Sequence, residues 1–227
     1  MKIILILFIL SSTAYADTLS ICLETKSAPI SEIDEILFPK IYEGLVRYNA
    51  LKKKYFPVLI EKISMTNSKV IHIEIKKKIY FHSNKYFSPT RTLNTDDVIF
   101  SFKQAQSLNN SFISNIESIN KVSNTMMVIS GKTSFTDVYK DLSVITAAIK
   151  SKEYYDYTRT HSNKEIFNSE PIGTGPYQVD KITSHSITLK SFVKHPSKTG
   201  SIKEIIYKFK DSENKKSCNI NQVIATK

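Results

Sequence analysis

Two adjacent carboxylates, Asp96 and Asp97, are the residues of this chain that could support metal binding or acid–base chemistry. They follow Asn94, a residue type that caps helix N-termini, in the run LNTDDVIFSF. Adjacent helical residues point about 100° apart, and carboxylates in a first turn are stabilised by the helix dipole. We therefore interpret the pair as part of a helix N-terminus, with Asp97 at the third helical position.

The other reactive side chains match no catalytic or metal-binding pattern. The chain has five histidines, at positions 72, 82, 161, 185 and 195. They lack short-range metal-ligand spacing, and the sequences G-x-S-x-G, H-E-x-x-H and C-x-x-C are absent. We expect no enzyme activity, no metal and no cofactor. His82, beside Phe81, is interpreted as a packed strand residue.

A second feature is the turn EPIGTGPY at residues 170–177, in which Gly173 and Gly175 can adopt positive φ. The turn lacks the lysine and the strand–loop–helix context of a phosphate-binding loop. Three tyrosines, at positions 154, 155 and 157, precede it. Such a group could stack a ligand, but it more often packs in the core with its hydroxyl ends in water.

The N-terminus predicts export. Lys2 precedes the apolar run IILILFIL, and Ala14-Tyr15-Ala16 follows. This order is typical of a secretory signal peptide cleaved after Ala16, and eight to ten apolar residues are too few to span a bilayer that needs about 20. We therefore divide the chain into a signal peptide, 1–16, and a mature part, 17–227.

The composition is basic, with a formal net charge of +11. Lysine dominates, and arginine occurs only at positions 47, 91 and 159. Proteins that read nucleic acids favour arginine for bidentate contacts, so a nucleic-acid partner is not expected. The lysines are interpreted mostly as a solvated surface, with an anionic ligand or a membrane surface as the alternative.

The two cysteines, Cys22 and Cys218, lie near opposite ends of the mature part. An even number of cysteines in an exported protein favours a disulfide. From the residues alone, two buried thiols or an intermolecular bond remain alternatives.

Hydrophobic periodicity predicts a mixed α/β fold. Helices are expected over 31–46, with a bend or break at Pro39, over 93–106 and over 136–142. Strands are expected over 18–23, 69–75, 126–129, 177–179, 186–191 and 202–209, with 79–82 and 143–149 in extended form.

Several sequence blocks, in this order, resemble the extracellular solute-binding proteins of the peptide/nickel class. The resemblance is greatest to the N-terminal part of periplasmic dipeptide-binding and antimicrobial-peptide-resistance receptors of ABC transporters. The most specific blocks are NKYFSPTRTLNTDDVIFSF (84–102) and PIGTGPY (171–177). They are accompanied by CLE (22–24), IYEGLVRY (41–48), FPVL (56–59), residues 76–82 and SKEYYD (151–156).

The resemblance implies an α/β fold with a mixed sheet, namely lobe I of a periplasmic binding protein-like fold over 17–227, with the second lobe absent. It implies a periplasmic protein that binds small peptides or a related solute and delivers it to an ABC permease in the inner membrane. It implies a Cys22–Cys218 disulfide. The shortened segment after Cys22 replaces a loop of the family's ligand cleft, so the expected ligand-binding residues are Lys26, Ser27, Ala28 and Pro29.

The same resemblance leaves an alternative function open. Much of the family's dipeptide recognition lies in the second lobe, so this chain is expected to bind dipeptides only weakly. The alternative is a non-transport remnant or an interaction module with a basic surface and no high-affinity ligand site.

Overall fold

The computed structural model describes residues 17–23, 37–107, 114–143, 148–161, 165–197, 202–209 and 224–226. Within these ranges the strands are β1 (Thr18–Leu23), β2 (Val46–Asn49), β3 (Lys54–Pro57), β4 (Ile60–Asn67), β5 (Val70–Ile75), β6 (Ile116–Lys121), β7 (Met126–Gly131), β8 (Tyr177–Ile182), β9 (Ser186–Ser191), β10 (Glu204–Phe209) and β11 (Ile224–Thr226). The helices are α1 (Thr95–Ser107), α2 (Phe135–Asp141), α3 (Lys152–Thr160) and α4 (Ile166–Ser169). Residues 37–41 form a further helical segment. None of the described helices is long and apolar enough to cross a membrane.

The strands form two sheets and a hairpin. The five-stranded sheet has the order β11-β1-β10-β9-β8, and it is mixed because β1 pairs parallel with β10 and antiparallel with β11. The four-stranded sheet, β4-β5-β7-β6, is antiparallel throughout. Strands β2 and β3 form a separate antiparallel hairpin. The predicted α/β fold with a mixed sheet is thus confirmed.

Each sheet packs one face against its own hydrophobic cluster. In β5, Ile71, Ile73 and Ile75 are buried and alternate with partly exposed residues, as the sequence pattern predicts for a half-buried strand. These isoleucines belong to the larger cluster, which includes the buried face of α1. The smaller cluster joins Leu37 and Ile41 of the helical segment to the five-stranded sheet.

Helix α1 begins with a reciprocal cap, as predicted. The Asp96 amide donates to Oδ1 of Asn94 (2.9 Å), and the Asn94 amide donates to Oδ2 of Asp97 (3.0 Å). The buried Asp97 also accepts both guanidinium nitrogens of Arg91, at 2.6 and 2.8 Å, and the backbone amide of Lys152 at 2.9 Å. The carboxylate therefore ties the start of α3 to the start of α1, and its role is structural.

Tyr154 links the first of the two most specific sequence blocks, 84–102, to the residues that directly precede the second. Its side chain is fully buried, and its hydroxyl donates to the carbonyl groups of Ile166 and Glu170, each at 3.1 Å. The Asn84 amide donates to the same hydroxyl (2.9 Å) and to the Glu170 carbonyl (3.0 Å). Burial is the main reason that the pKa of Tyr154 is raised to about 12. This tyrosine packs in the core and does not stack a ligand.

The predicted helix over 31–46 is wrong at its C-terminal end. Of its residues, 31–36 lie outside the described ranges, and the helical segment continues through Pro39 but ends at Ile41. The Ile41 carbonyl accepts a hydrogen bond from the Gly175 amide (2.8 Å), and Gly44 forms a bridge with Ala148. These long-range bonds take the backbone groups that a continuing helix would need, so Val46 enters β2.

Candidate functional site

The buried ring of His82 fixes the turn at residues 171–177. Its Nε2–H donates to the Gly175 carbonyl (2.8 Å), and its Nδ1 accepts the Gly173 amide (3.3 Å). The edge of the ring contacts Phe192, with centroids 4.7 Å apart. Because one nitrogen must donate and the other must accept, both bonds require the neutral ring. Burial, the largest effect, lowers the pKa of His82 to about 4.

His82 is packed, as the sequence predicts, but it does not lie in a strand. Its backbone amide donates to the Gly173 carbonyl (2.8 Å) instead of to a strand partner. Gly173 and Gly175 could adopt positive φ, but neither has it in the structure. A Cβ at Gly173 would collide with the Ile41 carbonyl, so these glycines allow the turn to approach the helical segment closely.

Glu43, just beyond the helical segment, joins this turn to His195. Glu43 Oε1 lies 3.2 Å from Nε2 of His195, and Oε2 accepts the Thr174 hydroxyl at 3.2 Å. Only 5% of the His195 side chain and 15% of the Glu43 side chain are exposed. Nδ1 of His195 lies 3.1 Å from both the carbonyl oxygen and the amide nitrogen of Ser197, so the ring has a partner in either protonation state.

The pKa of His195 lies above its usual value. Burial has the largest single effect and lowers this pKa, but the hydrogen bonds to Glu43 and to the Ser197 backbone, together with the negative charge of Glu43, outweigh it. The charge of Arg47 acts in the opposite direction to Glu43 and lowers the pKa of His195. The positive charge of Arg47 is therefore close enough to the His195 ring to disfavour protonation of that ring.

A cavity of about 650 Å³ opens beside the Glu43–His195 pair. It is lined by Phe38, Pro39, Lys40, Tyr42, Glu43, Gly44, Val46, Arg47, Tyr48, Val58, Ser143, Ala148, Pro176, Tyr177, His195 and Ser197. A volume of this size falls in the range of small-molecule sites. We define these lining residues as the Glu43 cavity.

The Glu43 cavity combines an aromatic wall with positive charge. The rings of Phe38 and Tyr42 lie 4.8 Å apart, one helical turn from each other. Neither Lys40 nor Arg47 has a side-chain hydrogen bond or ion pair with another described residue, whereas the Glu43 carboxylate is held by His195 and Thr174. Such an arrangement suits the binding of a small anionic, partly apolar ligand.

The described residues give no indication of catalysis or of a metal site. Among them, no group of three or more histidine, cysteine, aspartate or glutamate side chains could hold a metal ion. The His195 ring is paired with a carboxylate, but among the described residues no hydroxyl or thiol side chain forms a hydrogen bond with this ring, and the Thr174 hydroxyl donates to Glu43 instead.

The site residues predicted from the sequence fall mostly outside the described ranges. Lys26, Ser27, Ala28 and Pro29 are in this category, and so is Cys218. Cys22 lies in β1, where it is in register with Lys208 of β10. The cysteine pairing and the ligand-binding residues therefore stay predictions. Sequence reasoning missed the Glu43 cavity, although IYEGLVRY supplies much of its wall, because the contact with His195 spans 152 positions.

Comparisons with known proteins agree with this fold. Residues 54–218 match the family model of the bacterial extracellular solute-binding proteins, family 5 Middle. A dipeptide-binding protein of Escherichia coli is 30% identical over 173 residues, and a heme-binding protein A of Haemophilus influenzae is 29% identical over 167 residues. The solved structure of HbpA2 from Haemophilus parasuis is similar with a TM-score of 0.75 at 26% identity.

The matches cover most of this chain but a minority of each relative. The E. coli protein is matched over 67% of this chain and 32% of its own length, and the H. influenzae protein over 65% and 30%. HbpA2 is matched over 85% of this chain and 43% of its own. The chain thus spans less than half the length of these relatives, and the shared fold corresponds to one lobe.

Proposed function

The chain belongs to the bacterial extracellular solute-binding proteins of family 5, and from this membership we propose that it is a substrate-binding component of a peptide ABC transporter, or a shortened relative of one. In this role it binds a small peptide or a related solute and delivers it to a permease in the inner membrane. The match of the family model over residues 54–218 carries the proposal. The similarity to a dipeptide-binding protein supports peptides as the ligand class.

The proposed compartment is the periplasm. The family consists of extracellular binding proteins, and the sequence begins with the order of segments that defines a secretory signal. We propose cleavage after Ala16. Mature protein isolated from the cell envelope should begin at Asp17, as measured by intact mass. A mass that includes Met1 would contradict the proposal.

A ligand screen tests the binding function. The mature chain, 17–227, is melted in the presence of di- and tripeptides and, separately, of heme, because one of the relatives is a heme-binding protein. A ligand at ten times its Kd raises the free energy of unfolding by about 1.4 kcal/mol, so even weak binding gives a measurable shift. We expect a shift with at least one peptide class, with a Kd weaker than low micromolar. The absence of any shift with peptides would refute peptide binding.

An interaction module with a basic surface is the second candidate. The charge of +11 favours it, together with Lys52, Lys53 and Lys54 at the exposed end of the β2–β3 hairpin. This candidate predicts binding to vesicles containing anionic lipid that is lost at high salt, and no thermal shift with any peptide. A peptide-dependent shift would favour the transport component instead.

A further inference from the structure

The turn that joins β2 to β3 exposes one leucine among lysines. Residues 50–53 connect the two strands, and Lys54 begins β3. All of them are exposed, and 97% of Leu51 is accessible to solvent. We define residues 49–54 as the hairpin tip. The described residues expose nine large apolar side chains, and three of these lie in this one hairpin, namely Tyr48, Leu51 and Phe56. Its apolar surface is therefore more than a single scattered side chain.

The backbone of the hairpin tip is held in one conformation. Asn49 Oδ1 accepts the Lys52 amide across the turn at 2.9 Å, and Lys53 has a φ of 49°, in the left-handed region that helps to reverse the chain. The strands on either side pair in register, with Asn49 opposite Lys54. Among the described strands, β2 and β3 pair with each other and with no third strand. Leu51 is therefore fixed at an exposed turn, where the described residues leave it uncovered.

The hairpin carries positive charge without negative charge. The stretch 44–60 contains Arg47, Lys52, Lys53 and Lys54 and no aspartate or glutamate. None of these three lysines forms an ion pair with another described residue. Lys52 Nζ lies 5.5 Å from the centre of the Phe56 ring, so its charge lies beside an apolar group. The hairpin tip therefore complements an anionic surface that also accepts apolar side chains.

The combination of leucine, lysine and tyrosine selects the kind of surface. An acidic protein or a nucleic acid would neutralise the lysines but would leave the projecting leucine in water. A bilayer with anionic lipid accepts both groups, because the leucine enters below the headgroups while the ammonium groups stay at the phosphates. Tyr48 and Tyr55, whose rings lie 4.9 Å apart across the two strands, are of the residue type that favours the membrane–water interface.

We propose that the hairpin tip binds the surface of a bilayer that contains anionic lipid, with Leu51 inserted below the headgroups and with Lys52, Lys53 and Lys54 at the lipid phosphates. This inference rests on the basic surface of the second candidate function and adds to it the contact site and the inserted residue. It is independent of peptide binding.

A tryptophan reporter tests the insertion. The chain contains no tryptophan, so Leu51→Trp in the mature chain places the single reporter at the hairpin tip. The variant is mixed with vesicles of phosphatidylcholine alone and with vesicles in which about a third of the lipid is phosphatidylglycerol. We expect the anionic vesicles to shift the emission to shorter wavelength and to protect the ring from quenching by acrylamide, and the neutral vesicles to do neither.

Val122→Trp is the matched control for the position of the reporter. Val122 is also an exposed apolar residue in a hairpin turn, between β6 and β7, but the neighbouring Lys121 is paired with Asp96. Its emission should not change with either kind of vesicle. Thermal melting of each variant establishes that it is folded.

Vesicle sedimentation measures the contribution of each group. Replacing one lysine of the tip with glutamine should weaken binding to anionic vesicles about fivefold, and replacing all three about 100-fold. Leu51→Gln should weaken it about tenfold, whereas Leu51→Met should bind as the native protein does. Lys103→Gln is the control for charge, since Lys103 is exposed on α1 and lies outside the hairpin; it should change the affinity less than twofold.

The outcomes separate this inference from the second candidate function. Salt-sensitive vesicle binding with an unshifted Leu51→Trp spectrum would overturn insertion and leave a basic interaction surface, as an acidic protein or a nucleic acid would need. Equal shifts for Leu51→Trp and Val122→Trp, or equal losses for the tip lysines and Lys103, would overturn the location. The absence of any binding to anionic vesicles would overturn the inference together with membrane binding by the basic surface. Peptide binding is decided separately by the ligand screen.

Discussion

Replacing His82 with glutamine should change how the stability of the protein depends on pH. In the folded protein the buried ring is neutral, with a pKa of about 4, and it connects the Gly173 amide to the Gly175 carbonyl. In the unfolded chain the ring has its ordinary pKa of about 6.5. Below that pH the unfolded chain binds a proton that the folded chain does not, so the stability contribution is present above pH 6.5 and is lost as the pH falls toward 4.

The magnitude follows from the two pKa values. A difference of about 2.5 pKa units corresponds to about 3.4 kcal/mol when the titration is complete. Between pH 7 and pH 5, this histidine should lower the free energy of unfolding by about 2 kcal/mol. The His82→Gln variant can place its amide NH2 near the Gly175 carbonyl, but its carbonyl oxygen does not occupy the position of Nδ1, so the buried Gly173 amide loses its acceptor. At pH 7 it should therefore be less stable than the native protein by about 1–3 kcal/mol.

The assay is urea unfolding followed by far-UV circular dichroism at pH 7 and pH 5. The chain contains no tryptophan, so fluorescence is a weak alternative. The deficit of His82→Gln should shrink by about 2 kcal/mol at pH 5, because glutamine does not titrate. His195 has a raised pKa, so its contribution is present at low pH and is lost as the pH rises through the folded value. It is common to both proteins and cancels in the difference.

His185→Gln is the control, since His185 is exposed in the β8–β9 turn. The free energy of unfolding of His185→Gln should equal that of the native protein at pH 7 and at pH 5. If native protein and His82→Gln lose the same free energy between pH 7 and pH 5, the neutral buried ring is not the cause of any acid sensitivity, and this reasoning is refuted.

Three further predictions concern the packing around the two sequence blocks and the pairing of the cysteines. Asp97→Asn should lower the free energy of unfolding by about 2–4 kcal/mol in urea titration, because it leaves the partly buried Arg91 without its carboxylate. Asp96→Asn removes an exposed ion pair and should lower the free energy of unfolding by less than about 1 kcal/mol. Equal effects of the two substitutions would contradict the assigned roles. Gly173→Ala should lower the free energy of unfolding by about 1–3 kcal/mol, because the added Cβ would collide with the Ile41 carbonyl. An unchanged melting temperature would argue against the close approach of the turn to the helical segment. Denatured, unreduced mature protein should show no reactive thiol if Cys22 and Cys218 are bridged, and two thiols per chain would reject the bridge.

The features that sequence predicted best are those whose causes lie within a few residues. The cap at Asn94 and Asp97 depends on residues three apart, and the alternation in β5 depends on one face of one strand. Both follow from local backbone geometry, so a single sequence suffices to find them. The fold class follows in turn from the order of such elements.

The features that sequence missed depend on contacts across the chain. A helix over 42–46 was expected from apolar spacing, but hydrogen bonds from Gly175 to Ile41 and the bridge between Gly44 and Ala148 redirect the backbone. The same contacts create the Glu43 cavity. No periodicity encodes a partner more than 100 positions away, so neither the end of the helix nor the cavity could be read from the residues alone.

The residues that hold the fold together are different from those that line the Glu43 cavity with positive charge. Asp97 and Tyr154 use their polar atoms to hold one segment of the chain against another, and His82 does the same for the turn. Because these atoms are buried and fully engaged, they have no capacity left for a ligand. The cations of the Glu43 cavity differ, since neither Lys40 nor Arg47 has a side-chain hydrogen bond or ion pair with any residue in the described ranges. Changing them should therefore lower the free energy of unfolding less than changing Asp97, Tyr154 or His82, as urea unfolding of the variants would measure.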